Sequence, residues 1–194
     1  MQAALADHRL TLRLRQELLI EANLHSLRQA LTLLELMNDS AYRDAPTSLP
    51  NHKIGAHFRH ILEFYECFLD GMETDYIDYD ARRRDHVLQT SRTEAMARIR
   101  AIMLRLENSP ALLSDHVVWV RMEDSAIGGI DPCLTSSPGR ELQVLASHTI
   151  HHFALIAITL TAHGLEAPPD FGMAPSTLRY LSNQSARAAA TEAA

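Results

Sequence analysis

Leucines recur at helical spacing from about Leu10 to Met37, at Leu12, Leu19, Leu27, Leu31 and Leu34, with Ala22 on the same stripe. That period predicts a long first helix. Asn38-Asp39-Ser40 breaks the pattern, and Pro46 and Pro50 keep the next segment extended. A second helix is expected from about Asn51 to Asp70, with Gly71 as its stop. The stretch Glu73 to Gln89 is rich in Asp, Tyr and Arg and shows neither helical nor strand period. A third helix fits Ser91 to Leu106, since Ser91 with Glu94 three residues on makes a capping box and Asn108-Ser109-Pro110 ends it.

Residues 111–137 carry weaker signals. Asp115-His116-Val117-Val118-Trp119-Val120 reads as a short strand, and Gly128-Gly129-Ile130-Asp131-Pro132 as a turn. A fourth helix is sharply bounded: Ser137 can cap it, Pro138 takes its first position, and His163-Gly164 closes it before Pro168-Pro169. From Ser185 the chain is Ala-rich without an apolar stripe, so 183–194 is expected to be a frayed or disordered tail. Four helices of about 16 to 28 residues, two of them joined by long connections, predict an all-α four-helix bundle with long inserted loops, one domain over 1–182.

Composition narrows the class. Of 194 residues, 46% are hydrophobic and 22% charged, as in one soluble globular domain. No run approaches the roughly 18 uncharged apolar residues of a membrane span. Met1 to Arg15 has no uninterrupted apolar core, so no signal peptide is read and a cytoplasmic protein without membrane partners is expected. A net charge of −6 argues against nucleic-acid binding. Arg82-Arg83-Arg84 lies among Asp75, Asp78, Asp80 and Asp85, which suggests local pairing or a solvated turn. Cys67 and Cys133, far apart and outside any C-x-x-C, exclude a disulfide scaffold or zinc ribbon.

The chemistry lies in the histidines. At 100° per residue, Leu142, Leu145, His148, Thr149, His152, Ile156 and Leu160 share a stripe about 120° wide. His148 and His152, at i and i+4, therefore point into the bundle, and His151 is peripheral. Glu141 falls on the same face about two turns earlier, as an acceptor for a ligating ring or an extra ligand. On the second helix, Ile54, Phe58, Ile61, Tyr65 and Phe68 form the apolar face; His57 lies inside it and His60 at its edge. Periodicity thus favours His57 as the facing histidine. Each buried neutral imidazole needs a donor and an acceptor, and each unpaired group costs about 1–3 kcal/mol. A metal satisfies both needs; core hydrogen bonding or a pH-sensitive pair is the alternative. No histidine precedes Glu directly and none follows Glu by three, so the zinc-protease helix and the di-iron bundle motif are absent. What remains is a mononuclear nitrogen site suited to Zn, Ni, Fe or Cu, not to Mg or Ca.

At these residues the chain resembles the DinB superfamily of metal-binding four-helix bundles. The match consists of Ile54-Gly55-Ala56-His57-Phe58-Arg59-His60-Ile61-Leu62 and His148-x-x-x-His152, with Phe64-Tyr65-Glu66 similar to the aromatic-aromatic-acid run of the ergothioneine-synthase branch. The overlap spans most of residues 10–165. The resemblance implies a three-histidine site for a divalent metal, commonly Zn or Ni with Fe as a further candidate, on His60, His148 and His152. It implies His57 as a supporting or substitute residue, with Glu141 or His57 orienting a ligand or shuttling a proton. Members include S-transferases using low-molecular-weight thiols, an isomerase and amide-type hydrolases, and many have no known activity. A metal-dependent thiol S-transferase or hydrolase acting on a small molecule follows as the expectation, with a non-catalytic metal-binding or interaction bundle as the alternative. Homodimers are common in the superfamily. Arg140, at a helix start beside Ser136 and Ser137, is a candidate for a thiol cofactor's carboxylate; pairing with an aspartate of the 75–85 loop is the plainer reading. Tyr76 and Tyr79 read as loop anchors.

Overall fold

The computed structural model describes residues 2–123 and 133–192. Helix α1 (Gln2–Leu36) ends where the leucine pattern does. Asn38 stops it and also starts the next helix, because its side chain accepts a hydrogen bond from the Ala41 amide at 2.8 Å and caps α2 (Asp39–Arg43). A short polar side chain breaks one helix and caps another for the same reason: it competes for backbone amides. Helix α3 (Ile54–Gly71) begins later than Asn51, since the amides of Leu49 and His52 close turns onto the carbonyls of Pro46 and Leu49.

The stretch without clear period forms β1 (Tyr76–Asp78) and the short α4 (His86–Thr90), capped by Asp85 through the Val87 amide. Helix α5 (Arg92–Asn108) follows, with Ser91 accepting from the Glu94 amide at 3.2 Å. Only half of the capping box forms. The Ser91 amide bonds to the Val87 carbonyl, and the Glu94 carboxylate lies 3.6 Å from Arg98. A 3-10 turn at Pro110–Leu113 leads to β2 (Val118–Arg121), then β3 (Cys133–Ser136), α6 (Pro138–Ala162) and α7 (Pro175–Glu192).

The molecule is mainly helical, in line with the all-α expectation, and carries one small sheet besides. The strands form one sheet in the order β1-β2-β3, with β1 parallel and β3 antiparallel to β2. The short strand expected at Asp115–Val120 forms as β2, whereas β1 and β3, runs of three and four residues, are too short for their alternation to register in sequence. The turn expected at Gly128–Pro132 lies outside the described residues. Where a frayed tail is expected, α7 runs to Glu192, consistent with the helix propensity of its Ala, Arg and Gln.

Helix α1 lies against α5 and α6, and α3 against the same two, so four long helices enclose the core. Ile54, Phe58, Ile61, Tyr65 and Phe68 are each no more than 1% exposed. Full burial of such side chains stabilises by about 1.5–3 kcal/mol each. Among the described residues α6 is the one helix that by length and composition would pass for a membrane span, because most of its polar residues are uncharged. One of its faces, from Leu142 to Leu160, packs into the core.

Two contacts position the functional residues. Helix α4 comes so close to α3 that a Cβ on Gly55 would collide with the Gln89 carbonyl oxygen and meet the Tyr42 ring at 2.8 Å. The glycine in the sequence motif therefore permits that approach. In the core, the Asn23 side-chain amide donates to the Leu142 carbonyl at 3.0 Å, and the Tyr65 hydroxyl donates to Asn23 Oδ1 at 2.7 Å. Thr149 donates to the Tyr65 oxygen at 3.3 Å, so one polar node ties α1, α3 and α6 together beside His148.

Candidate metal centre

Three imidazoles converge between α3 and α6. His148 Nε2 lies 3.1 Å from His60 Nε2 and 3.0 Å from His152 Nε2. One ligand atom from each ring falls within 4.8 Å of the others, so His60, His148 and His152 form a group that could hold a metal ion. A tetrahedral centre with metal–nitrogen bonds of about 2.0–2.1 Å needs nitrogens about 3.3 Å apart. The two measured separations are a few tenths of an ångström shorter, a difference that small ring rotations remove. The donor set fits a borderline-soft divalent ion.

The rings are also in the required protonation state. Burial first, and neighbouring positive charge second, pushes His60 and His148 down to about 4 and His152 to about 3. All three are neutral near pH 7, with lone pairs available for ligation. The same depression has a sign for stability. An unfolded chain protonates these rings below about 6.5 while the fold resists until about 4 or lower, so the unfolded state binds more protons in that window. Metal-free protein is expected to lose Tm as pH falls from 6.5 towards 4. The slope should be shallower in His148→Ala, and a Tm flat across that window would count against the buried neutral cluster.

Between His57 and His60, the structure brings His60 into the group. Helix α6 flanks α3 on one side and α5 on the other, so the edge of the α3 apolar face is what meets α6. His57 stands behind His152, with its Nδ1 3.0 Å from His152 Nδ1. His151 is exposed, as its wheel position predicts.

Two expectations are corrected. Glu141 is buried on the inward face, but it makes no hydrogen bond to a histidine among the described residues. It accepts from the Tyr79 hydroxyl at 2.8 Å and from Ser136 at 2.5 Å. Two turns of helix separate it from His148, and the rings of Tyr79 and Phe64 fill that gap: Phe64 lies 4.9 Å from Tyr79 and 4.2 Å from His148. Burial and the Glu141 carboxylate push the Tyr79 phenol upwards, so it stays a hydrogen-bond donor that anchors the loop after β1. Arg140 is exposed at the start of α6 and makes no ion pair among the described residues, neither with a loop aspartate nor towards the histidines.

The arginine that does reach the site is Arg82. Its Nη1 donates to His60 Nδ1 at 2.8 Å and its guanidinium lies 4.8 Å over the Phe64 ring. No sequence signal marks it, since its place depends on two distant anchors: Tyr79 on Glu141, and the Asp85 amide on buried Glu63 at 2.6 Å. Elsewhere, Ser114 Oγ, His116 and Asp75 line up at 2.8 and 2.9 Å. That line is exposed, and Ser114 also bonds to the Ala111 carbonyl at 3.0 Å, which fits a loop fastener.

No protein-family model matches the chain, and no solved structure matches it. A curated protein from Rhizopus delemar, named FK506-binding protein 5, is 32% identical over 108 residues, or 56% of this chain. The match spans 28% of that relative's length.

Proposed function

We propose that this chain is a metal-binding four-helix bundle of the DinB type, a metal-dependent thiol S-transferase or hydrolase acting on a small molecule. The observation that carries it is the convergence of three neutral Nε2 atoms from two facing helices at 3.0 and 3.1 Å. Zn or Ni is the proposed ion, with Fe as the further candidate, because three imidazoles leave positions open for exogenous ligands. A metal held there would lower the pKa of a bound thiol or water and make a nucleophile at neutral pH. The decisive test is the metal content of protein purified without added metal, with and without the His148 ring.

His57 is proposed as the support of His152. Once His152 ligates through Nε2, its proton sits on Nδ1, where His57 Nδ1 can accept it. His57→Phe should weaken metal affinity by about 10–100-fold, and His57→Gln, which keeps an acceptor, by less. Competition with a chromophoric chelator measures both. Equal affinities in wild type and His57→Phe would remove His57 from the site.

A homodimer is proposed as the working assembly, supported by Leu10, Leu14 and Leu18. These recur every fourth residue on α1 and are 58%, 51% and 71% exposed. Ultracentrifugation of Leu14→Glu beside wild type tests it: the variant should sediment as monomer, and two monomeric samples would end the proposal.

A further inference from the structure

The outward nitrogens of the histidine group face two kinds of neighbour. His152 Nδ1 faces His57, an imidazole that can either donate or accept. His60 Nδ1 faces Arg82, whose guanidinium can only donate. Without metal the protons have one consistent arrangement. Arg82 donates to His60 Nδ1, which leaves the His60 proton on Nε2. His57 donates to His152 Nδ1, which leaves the His152 proton on Nε2. Both Nε2–H groups then point at the His148 Nε2 lone pair, at 3.1 and 3.0 Å.

Ligation through Nε2 moves both protons outward to Nδ1. His57 adapts by changing tautomer. Arg82 has no such option, because its N–H would then meet the His60 N–H, and a dication would lie one ring away.

Arg82 is also unclaimed by any acid. Among the described residues no carboxylate pairs with it, and its Nε is buried without a hydrogen-bond partner. The nearby aspartates are occupied by backbone amides: Asp78 by Asp80 and Ala81, Asp80 by Glu123, and Asp85 by Val87. Arg59, next to His60 on α3, bonds through Nη1 to the neutral Gln89 and likewise leaves a buried Nε unpartnered.

We propose that Arg82 is an anion-recognition residue of the metal site. Metal binding releases it from His60, and it then takes the carboxylate of a small ligand that is held at the metal through another atom. This rests on the metal reading above and adds a substrate class to it: small molecules that join a metal-binding atom to a carboxylate.

The test uses cobalt(II)-loaded full-length protein, titrated with mercaptoacetate and with 2-mercaptoethanol and followed by thiolate-to-cobalt absorption. The ratio of the two affinities in wild type is compared with that in Arg82→Gln and Arg82→Lys. A charge-assisted pair predicts that Arg82→Gln loses about tenfold or more for mercaptoacetate with little change for 2-mercaptoethanol. Arg82→Lys should keep part of the preference. Cobalt should also bind more tightly to Arg82→Gln, by about tenfold, because Gln can accept from His60 Nδ1–H. Cobalt bound with an unchanged thiol ratio, or more weakly in Arg82→Gln, would overturn the role of Arg82 and leave the metal site standing. Cobalt bound to none of the proteins would overturn both.

Discussion

Purified without added metal, His148→Ala should carry less than a tenth of the Zn, Ni or Fe found in wild type. His148 Nε2 is the atom that both other Nε2 groups approach, at 3.1 and 3.0 Å, so its removal leaves two donors with no common vertex. Loss of a supporting residue behind a ligand weakens metal binding about 10–100-fold, and loss of the ligand itself should exceed that. A second readout is thermal. An ion present at about 100–1,000 times its Kd stabilises the folded state by about 2.7–4.1 kcal/mol, which corresponds to roughly 5–15 °C for a chain of this size. A strong chelator should lower wild-type Tm by that amount and leave His148→Ala unmoved. Equal metal content in the two proteins would place the ion elsewhere and end the proposed function.

The largest effect on the fold itself is expected at Asn23. Its amide and carbonyl are buried between three helices, and Asn23→Ala leaves the Tyr65 hydroxyl without its acceptor and removes the second donor to the Leu142 carbonyl, which keeps its helical bond. At about 1–3 kcal/mol for the buried hydroxyl left unpaired, plus a small cavity, the variant should lose about 2–4 kcal/mol of unfolding free energy. Denaturant melts of metal-free protein would measure it. A loss under about 1 kcal/mol would mean that water replaces the amide and that the node is not structural. Because Thr149 joins the node next to His148, Asn23→Ala should also bind metal more weakly than wild type.

The inward direction of His148 and His152 was legible because α6 is long, regular and bounded by clear caps, so the 3.6 period holds over several turns. The choice between His57 and His60 was not. A helical wheel orders residues around one axis and says nothing about which flank of α3 meets α6. Glu141 shows the same limit in another form. Its wheel position was read correctly, but its partners, Tyr79 from the loop after β1 and Ser136 from β3, come from segments with no period. Arg82 depends on the same loop, and composition suggested only local pairing or a solvated turn for it. Asn38 was visible as a breaker and Asp85 only as one of the acids around the arginines, and each caps a helix of five residues, too short for any apolar stripe to announce.

Two of the three converging nitrogens hang from successive turns of α6, so the backbone hydrogen bonds of that helix set their spacing. His60 alone stands across the gap, on α3. The centre therefore has a single soft dimension, the separation of those two helices. An ion seated there would work as a clasp between α3 and α6, and its coordination number would drop from three protein ligands to two as the helices part. The colour of cobalt-substituted protein would then gauge the parting of α3 and α6, changing under heat or pressure before any helix unwinds.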